Sequence, residues 1–157
     1  MKKQSVLFVC LGNICRSPAA EAIFLDLINK KGLNDSFIVD SAGTGSWHIG
    51  KKADTRMRIA SQKRGVEIFS RARQINSNDF EKFNYIVAMD DSNYENIIDM
   101  KSRKSLSDFA SIKKIQNFRS IFQEIEVPDP YFGGDEGFEN VLDILEDSVS
   151  GFIDTIS

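Results

Sequence analysis

The segment Val9-Cys10-Leu11-Gly12-Asn13-Ile14-Cys15-Arg16-Ser17-Pro18 decides how this chain folds and what chemistry it can perform. The mostly apolar residues 5–9 before it predict a strand, and a helical pattern begins close to Pro18. A short loop between a strand and a helix N-terminus is a natural anion site, because its amides point inward and the helix dipole adds partial positive charge. The expected phosphate-binding residues are Leu11, Gly12, Asn13, Ile14, Cys15 and Arg16.

A cysteine at the end of the strand and an arginine six residues later add reactive groups to this loop. The thiolate is the reactive form of cysteine, and the loop amides, the dipole and Arg16 all favour it at Cys10. The planar guanidinium of Arg16 can hold two phosphoryl oxygens at once. Taken singly, Cys10 would be a small buried apolar residue and Arg16 a solvated one. Their spacing instead favours phosphoryl transfer through the cysteine.

The neighbouring residues fit the same interpretation. Gly12 permits close approach of the backbone to a phosphate, and Asn13 tolerates a left-handed conformation that would turn its amide inward. Ser17 is expected to donate its hydroxyl to the Cys10 sulfur and so stabilise the thiolate. The alternative is that Ser17 serves only as the N-cap of the first helix.

This segment resembles the signature loop of the low-molecular-weight protein tyrosine phosphatases, and the similarity extends along nearly the whole chain. Four later segments match in order, at residues 39–44, 72–75, 85–90 and 129–132. The resemblance implies a single domain over residues 1–157, with a three-layer α/β fold whose central four-stranded parallel sheet carries helices on both faces. It also implies a protein tyrosine phosphatase that acts through a phosphocysteine intermediate, without a cofactor or a metal.

The resemblance assigns roles to residues outside the loop. A tyrosine leaving group has a pKa near ~10, so its expulsion at neutral pH requires a general acid. The residue that matches the family's acid is Asp129; without the resemblance, its proline-flanked position would indicate a turn. Trp47, Tyr131 and Phe132 are the implied walls of the substrate pocket.

One position departs from the family pattern. Ser70 stands where relatives often carry a histidine that helps to fix the loop asparagine. This leaves Ser41 and Ser70 as the candidate supports of Asn13. The one histidine of the chain, His48, is expected to be an exposed loop residue.

Composition restricts the setting and the partners. A chain of 157 residues with 41% apolar and 27% charged residues is typical of one globular domain. Two cysteines cannot form a disulfide framework, which favours a reduced, cytoplasmic setting. Cys15 either packs in the core or captures an oxidised Cys10 as a disulfide. The net charge of −3 argues against nucleic acid as a partner, and no apolar stretch is long enough to span a membrane.

The expected partners are phosphotyrosine-containing proteins or peptides, with inorganic phosphate as product and inhibitor, and the chain is expected to be a monomer or a weak dimer. Its charge is unevenly distributed. Eight basic residues and two acidic ones lie between residues 51 and 73, whereas residues 120–157 hold ten acidic residues and no basic one. These charges either solvate two helix faces or, on the basic side, steer phosphorylated substrates toward the loop.

Alternating strand and helix signals predict the order of the elements. Strands are expected at residues 5–9, 37–39 and 85–89, with a fourth within residues 105–109. Helices are expected from Ser17, at residues 53–64, 77–83 and 93–100, and over the C-terminal residues 138–156, where apolar residues recur at helical spacing.

Three other functions compete with tyrosine phosphatase activity. An arsenate reductase-like enzyme would need further redox cysteines, and none follows Cys15. Phosphoarginine phosphatases of this kind tend to carry threonine where this chain has Ile14, and an apolar residue fits an aromatic ester better. A non-catalytic phosphate-binding module would not need Cys10, Arg16 and Asp129 together.

Overall fold

A four-stranded parallel sheet forms the centre of the molecule, in the order β2-β1-β3-β4. The computed structural model describes residues 2–157, apart from the side chain of Phe132. The strands are β1 Gln4–Cys10, β2 Phe37–Gly43, β3 Tyr85–Ala88 and β4 Ser111–Lys114. This order places the carboxyl end of β1 beside a topological switch point, the position where open α/β sheets bind ligands.

Helices cover both faces of the sheet. They are α1 Arg16–Lys30, α2 Thr55–Gln62, α3 Asp79–Lys82, α4 Asp91–Arg103 and α5 Gly134–Ile156. Alternate side chains of β1 point to opposite faces, so Val6 and Phe8 pack with α1, α2 and α5, whereas Leu7 and Val9 pack with α3 and α4. The predicted three-layer α/β fold with a four-stranded parallel sheet is confirmed.

The C-terminal helix supplies much of the first core. Its 23 residues turn a continuous apolar face to the sheet, and Phe138, Leu145 and Phe152 on that face are almost completely buried. The periodicity of the sequence predicted this helix correctly. No helix within residues 2–157 combines the length and the apolar character needed to cross a membrane.

The fourth strand lies later in the chain than predicted. Ser105 ends α4 in a left-handed conformation, with a φ of 49°, and Leu106 N–H donates to Lys101 O at 3.0 Å. These features form a Schellman-type helix stop, so the prediction of a strand within residues 105–109 is wrong. The strand Ser111–Lys114 pairs with β3 instead. Its two lysines obscure it in the sequence, although charged residues are common on edge strands.

The first helix begins before its predicted cap. Cys15 is the N-cap, and Arg16, Ser17 and Pro18 form the first turn. Pro18 is tolerated there because the first four N–H groups of a helix have no partner within it. Ser17 is therefore not the N-cap, and its side chain is available to the loop before the helix.

Two aspartates cap the N-termini of the helices α2 and α4. The Asp54 carboxylate caps α2 by accepting from the Arg56 N–H at 2.8 Å. The Asp90 carboxylate caps α4 by accepting from the Asn93 N–H at 2.7 Å. Capping of this kind fixes both the helix start and the capping side chain, and both aspartates also contact the site described below.

Candidate active site

The phosphate loop, residues 10–17, curls around the sulfur of Cys10 at the carboxyl end of β1. Cys10 is buried, and the backbone N–H of Asn13 donates to its Sγ at 3.3 Å. Asn13 has a φ of 57°, the left-handed conformation expected from the sequence, and this conformation turns its amide toward the sulfur. The Ser17 hydroxyl lies 3.0 Å from the same sulfur. Two groups that can donate to a thiolate therefore face Cys10.

The Asn13 side chain fastens the loop from within. Its Nδ2 donates to Ser17 Oγ at 2.8 Å, and its Oδ1 accepts from the Arg73 backbone N–H at 3.0 Å. Because the Ser17 oxygen accepts from Asn13, its single proton points either to Cys10 or to the more distant Ala42 carbonyl, at 3.4 Å. The buried amide thus orients the hydroxyl that faces the sulfur.

The end of β2 supports the loop from outside. Thr44 N–H donates to Cys10 O and Gly45 N–H donates to Leu11 O, both at 2.9 Å. The backbones approach so closely that a Cβ at Gly43 would lie 2.7 Å from Leu11 O. Position 43 therefore requires glycine, and the two segments hold each other in register.

The two serines predicted to support Asn13 face Glu21 of α1 instead. Ser41 Oγ donates to the Glu21 carboxyl group at 2.6 Å. Burial raises the pKa of Glu21 to about 7, although the hydroxyls of Ser41 and Ser70 act in the opposite direction. The Asn13 side chain is held by Ser17 and the Arg73 backbone, whereas the two serines contact Glu21 of α1.

Arg16 is fixed in the first turn of α1 with its guanidinium buried. Its Nη1 donates to Asp90 Oδ2 at 2.7 Å and to the Val127 carbonyl at 3.1 Å. Burial alone would lower the pKa of Arg16, but the Cys10 sulfur and the Asp90 carboxylate outweigh this effect and raise it. The guanidinium is therefore charged and preorganised beside the sulfur.

Asp90, which binds Arg16, was not predicted from the sequence to belong to this site. It follows β3, the parallel neighbour of β1, so its side chain emerges at the same sheet edge as the phosphate loop. The signal available was its position at the end of the matching segment, residues 85–90. A carboxylate after a strand that adjoins β1 is a candidate partner for an arginine of the loop.

Asp129 is exposed and lies within residues 127–132. We call this segment the acid loop, after the role expected for Asp129. Its Oδ1 accepts from the Tyr131 N–H at 3.0 Å and caps the short 3-10 helix Pro130–Phe132. Tyr131, two residues after Asp129, has its hydroxyl 3.7 Å from the Cys15 sulfur, so this segment lies against the phosphate loop. Val127, two residues before Asp129, is the residue whose carbonyl binds Arg16.

Tyr131 connects the acid loop to the phosphate loop. Its hydroxyl donates to Asp54 Oδ2 at 3.1 Å, and the Asp54 N–H donates to the Ile14 carbonyl at 2.7 Å. The Arg56 guanidinium lies over the Tyr131 ring, 5.1 Å from its centroid. Tyr131 remains 45% exposed, so its surface is accessible to a ligand. Phe132, the neighbouring predicted wall, has a side chain outside the described part of the structure.

The second cysteine of the loop is a buried neutral thiol. Cys15 Sγ lies 3.7 Å from the Tyr131 hydroxyl. Burial raises the pKa of Cys15 to about 12, and burial likewise raises the pKa of Tyr131. Both cysteines are free thiols in this structure, and disulfide formation between them stays a prediction.

Trp47 lies in the segment that follows β2. The residue is 68% exposed, and its indole packs over Gly45, where a Cβ would come within 1.8 Å of the ring. Trp47 and Leu11 line a groove of about 620 Å³, and none of Cys10, Arg16 or Tyr131 lines it.

His48 is half-buried rather than exposed, with its ring 3.0 Å from the position of a Cβ at Gly12. A side chain at position 12 would therefore press against the His48 ring. Among residues 2–157, no cluster of three or more His, Cys, Asp or Glu side chains could hold a metal ion.

The whole chain is similar to one family of known proteins. The family model described as low molecular weight phosphotyrosine protein phosphatase matches residues 5–157. A Schizosaccharomyces pombe low molecular weight phosphotyrosine protein phosphatase is 41% identical over 157 residues, which cover 99% of each chain.

Solved structures agree with this match. A protein tyrosine phosphatase from Entamoeba histolytica superimposes with a TM-score of 0.90 at 44% identity, over 98% of this chain and 97% of the other. A Drosophila arginine phosphatase reaches the same TM-score at 34% identity, over 97% of each chain. This chain belongs to the low molecular weight phosphotyrosine protein phosphatase family and is a phosphatase enzyme.

Proposed function

We propose that this protein hydrolyses phosphotyrosine in proteins or peptides through a phosphocysteine intermediate. The proposal rests on the groups that surround the Cys10 sulfur. The sulfur faces the Asn13 N–H and the Ser17 hydroxyl. A guanidinium held by Asp90 lies on the same loop. A nucleophile, donors that stabilise its anion and a clamp for phosphoryl oxygens are the parts that phosphoryl transfer requires.

The first half of the reaction transfers the phosphoryl group to the enzyme. The Cys10 thiolate attacks phosphorus in line with the ester bond, the sulfur–phosphorus bond forms and the phosphorus–oxygen bond to tyrosine breaks. Arg16 and the loop amides hold the equatorial oxygens, where charge accumulates in the transition state. Protonated Asp129 gives its proton to the leaving tyrosyl oxygen.

The second half regenerates the enzyme. The Asp129 carboxylate accepts a proton from water as that water attacks phosphorus, the sulfur–phosphorus bond breaks, and inorganic phosphate leaves. The Ser17 hydroxyl stabilises the departing Cys10 thiolate from 3.0 Å. Inorganic phosphate should therefore bind the same loop and inhibit. Cys10 must be reduced for either half to proceed, so a cytoplasmic setting remains part of the proposal.

Asp129 has the freedom that a proton carrier needs. Its Oδ1 is engaged by the Tyr131 N–H, whereas its Oδ2 has no hydrogen-bond partner among the described residues. An exposed, uncommitted oxygen can exchange its proton with solvent between the two halves of the reaction. The resemblance, and not a measured distance to Cys10, supports Asp129 as the acid.

A second candidate function is hydrolysis of phosphoarginine. The similarity to a Drosophila arginine phosphatase favours it, because the fold matches over 97% of each chain. Ile14 favours the aromatic ester, since relatives that resemble arginine phosphatases tend to carry threonine there.

Two measurements test the proposed function. Peptides of one sequence that carry phosphotyrosine, phosphoserine or phosphoarginine give the kcat/KM for each ester class, and we expect phosphotyrosine to lead by at least about tenfold. Acid quenching followed by mass spectrometry should find the phosphoryl group on the Cys10 peptide. A lead of phosphoarginine, or an unmodified Cys10 during turnover, would contradict the proposal.

A further inference from the structure

The basic segment between residues 51 and 73 divides into two groups in the structure. Three arginines of the segment form ion pairs with nearby carboxylates: Arg56, Arg64 and Arg73. The remaining basic side chains form no ion pair with a described carboxylate: Lys51, Lys52, Arg58, Lys63 and Arg71. Ion pairing within the fold therefore neutralises the first group but leaves the charges of the second group available to a ligand.

Three of the unpaired cations line one cavity. Lys52, Arg58 and Arg71 surround a pocket of about 300 Å³ between α2 and the bridge that joins residues 52 and 71. We call it the basic pocket. Phe69 forms part of its wall with 83% of the residue exposed, and Glu67 is the one acidic residue of the lining. A cavity with three cations, one anion and an exposed aromatic ring suits a ligand that is acidic and partly apolar.

Two of these cations are already held in place. Arg58 Nε donates to the Ala53 carbonyl at 2.9 Å, and Arg71 Nη1 donates to the Gly50 carbonyl at 3.0 Å. Each guanidinium has five N–H donors in a rigid fork, so most of them remain available for a ligand. Ligand binding would therefore immobilise little further side-chain freedom.

Two short stretches of backbone join the basic pocket to residues that contact the phosphate loop. The Asp54 N–H binds the Ile14 carbonyl at 2.7 Å, and the Arg73 N–H binds Asn13 Oδ1 at 3.0 Å. Lys52 and Arg71 each lie two residues from one of these contacts. Two residues of extended chain span about 7 Å, so Lys52 and Arg71 each lie within about 7 Å of a residue that contacts the phosphate loop, and an extended peptide covers such a distance in a few residues.

We propose that the basic pocket binds acidic side chains of the substrate polypeptide, close in sequence to the phosphorylated residue. This inference rests on the proposed function and deepens it, because it names the class of phosphopeptide preferred. Carboxylates of the peptide pair with Lys52 and Arg71, and an apolar neighbour packs on Phe69. The pocket is locally positive although the net charge of the protein is −3, and acidic side chains of a substrate would complement that local charge.

The experiment compares phosphotyrosine peptides that differ only in glutamates or glutamines at positions two to four residues on either side of phosphotyrosine. At low ionic strength, we expect the wild type to favour the acidic peptide by about five- to tenfold in kcat/KM, the sum of several exposed ion pairs. Lys52→Ala and Arg71→Ala should each reduce the preference, and Lys52→Glu should shift it toward a lysine-containing peptide. Salt should weaken the preference of the wild type more than that of the variants.

Lys63→Ala is the matched control, because Lys63 is also an unpaired lysine of this segment but lies outside the basic pocket. It should keep the wild-type preference. Turnover of p-nitrophenyl phosphate by all variants reports the phosphatase activity and the integrity of the fold separately. Fluorescence anisotropy with labelled acidic and neutral phosphopeptides measures the preference as a ratio of Kd values even where turnover is absent.

The outcomes are distinct. Equal kcat/KM and Kd values for acidic and neutral peptides would overturn the proposal while leaving the phosphatase activity intact. An acidic preference that survives Lys52→Ala and Arg71→Ala, or that disappears in Lys63→Ala as well, would overturn it too, since the peptide would then be bound elsewhere or by overall charge. Displacement of the acidic peptide by an oligonucleotide but not by a phosphate-free acidic peptide would identify nucleic acid as the ligand and contradict the proposal.

Discussion

The phosphate loop and the acid loop, which act together in both halves of the proposed reaction, are built very differently. The phosphate loop is buried, and Asn13, Arg16 and Ser17 are each fixed by side-chain or backbone hydrogen bonds. The acid loop presents an exposed Asp129 on a short 3-10 helix, held to the rest of the site through Tyr131 and Val127. Charge stabilisation requires preorganised donors, whereas a proton carrier requires contact with solvent.

The largest effect should come from the nucleophile. We expect Cys10→Ser to lower kcat/KM for p-nitrophenyl phosphate by about 10⁴-fold or more, because a hydroxyl in the same loop is far harder to ionise than a thiol. Cys15→Ser is the matched control in the same loop and should retain activity within a few fold. Comparable losses in both variants would remove the distinction between the attacking and the packing cysteine.

Removal of the acid should cost less and depend on the leaving group. We expect Asp129→Asn to lower kcat for phosphotyrosine by about 10²- to 10³-fold, since general acid catalysis contributes on that scale. Aryl phosphates with more acidic phenols should lose less, because those phenols leave without a proton. A loss that is independent of the phenol would assign Asp129 a structural role instead.

Glu21, beside the phosphate loop, should make stability depend on pH. Its pKa is raised to about 7 by burial, from an ordinary value of 4.5. Between these values the folded protein retains a proton that the unfolded chain has released, so the free energy of unfolding falls as pH rises through this range. For the wild type, we expect the free energy of unfolding, measured by urea denaturation, to fall by about 2–3 kcal/mol between pH 5 and pH 8. Glu21→Gln should abolish this decrease. An unchanged pH dependence in the variant would place the titrating group elsewhere.

The Asn13 side chain should contribute to both activity and stability. We expect Asn13→Gly to lower the free energy of unfolding by about 1–3 kcal/mol and kcat/KM by about tenfold or more, because two buried hydrogen bonds are lost. Glycine preserves the left-handed backbone, so the comparison with Asn13→Ala isolates the backbone strain, which is worth about 1–2 kcal/mol. Thermal and urea denaturation together with kinetics give both quantities; equal stability of the two variants would argue against strain at this position.

The link between the two loops should have the smallest effect. We expect Tyr131→Phe to lower kcat/KM for phosphotyrosine by about two- to fivefold, because the hydrogen bond to Asp54 is lost while the aromatic wall remains. Asp54→Asn keeps a cap for α2 and should show a similar loss. A loss on the scale of Asp129→Asn would mean that the acid loop depends on this single contact.

The parts of the molecule that local sequence determines were predicted well. The phosphate loop combines a strand end, a glycine and a helix start within ten residues, and the left-handed Asn13 is a local backbone preference. The periodic apolar residues of α5 identify it in the same way. Parallel sheet topology followed from the alternation of elements and the family resemblance.

The parts that depend on distant contacts were not predicted. Asp90 binds Arg16 across 74 residues of chain, and no local pattern reports that contact. The pairing of Ser41 with Glu21 joins β2 to α1, and only the folded structure shows that the Ser41 hydroxyl donates to Glu21. β4 was misplaced because a polar edge strand depends on its neighbour rather than on its own composition.

The single Nη1 of Arg16 binds both Asp90 and the carbonyl of Val127, which lies two residues before the acid. One nitrogen atom therefore links the proposed phosphate clamp to the acid loop, and we expect occupancy of the phosphate loop and the position of the acid loop to be thermodynamically coupled. Such coupling is reciprocal. A variant or bound effector that displaces residues 127–132 would change the affinity for phosphate by some factor, and bound phosphate would change the equilibrium of that displacement by the same factor.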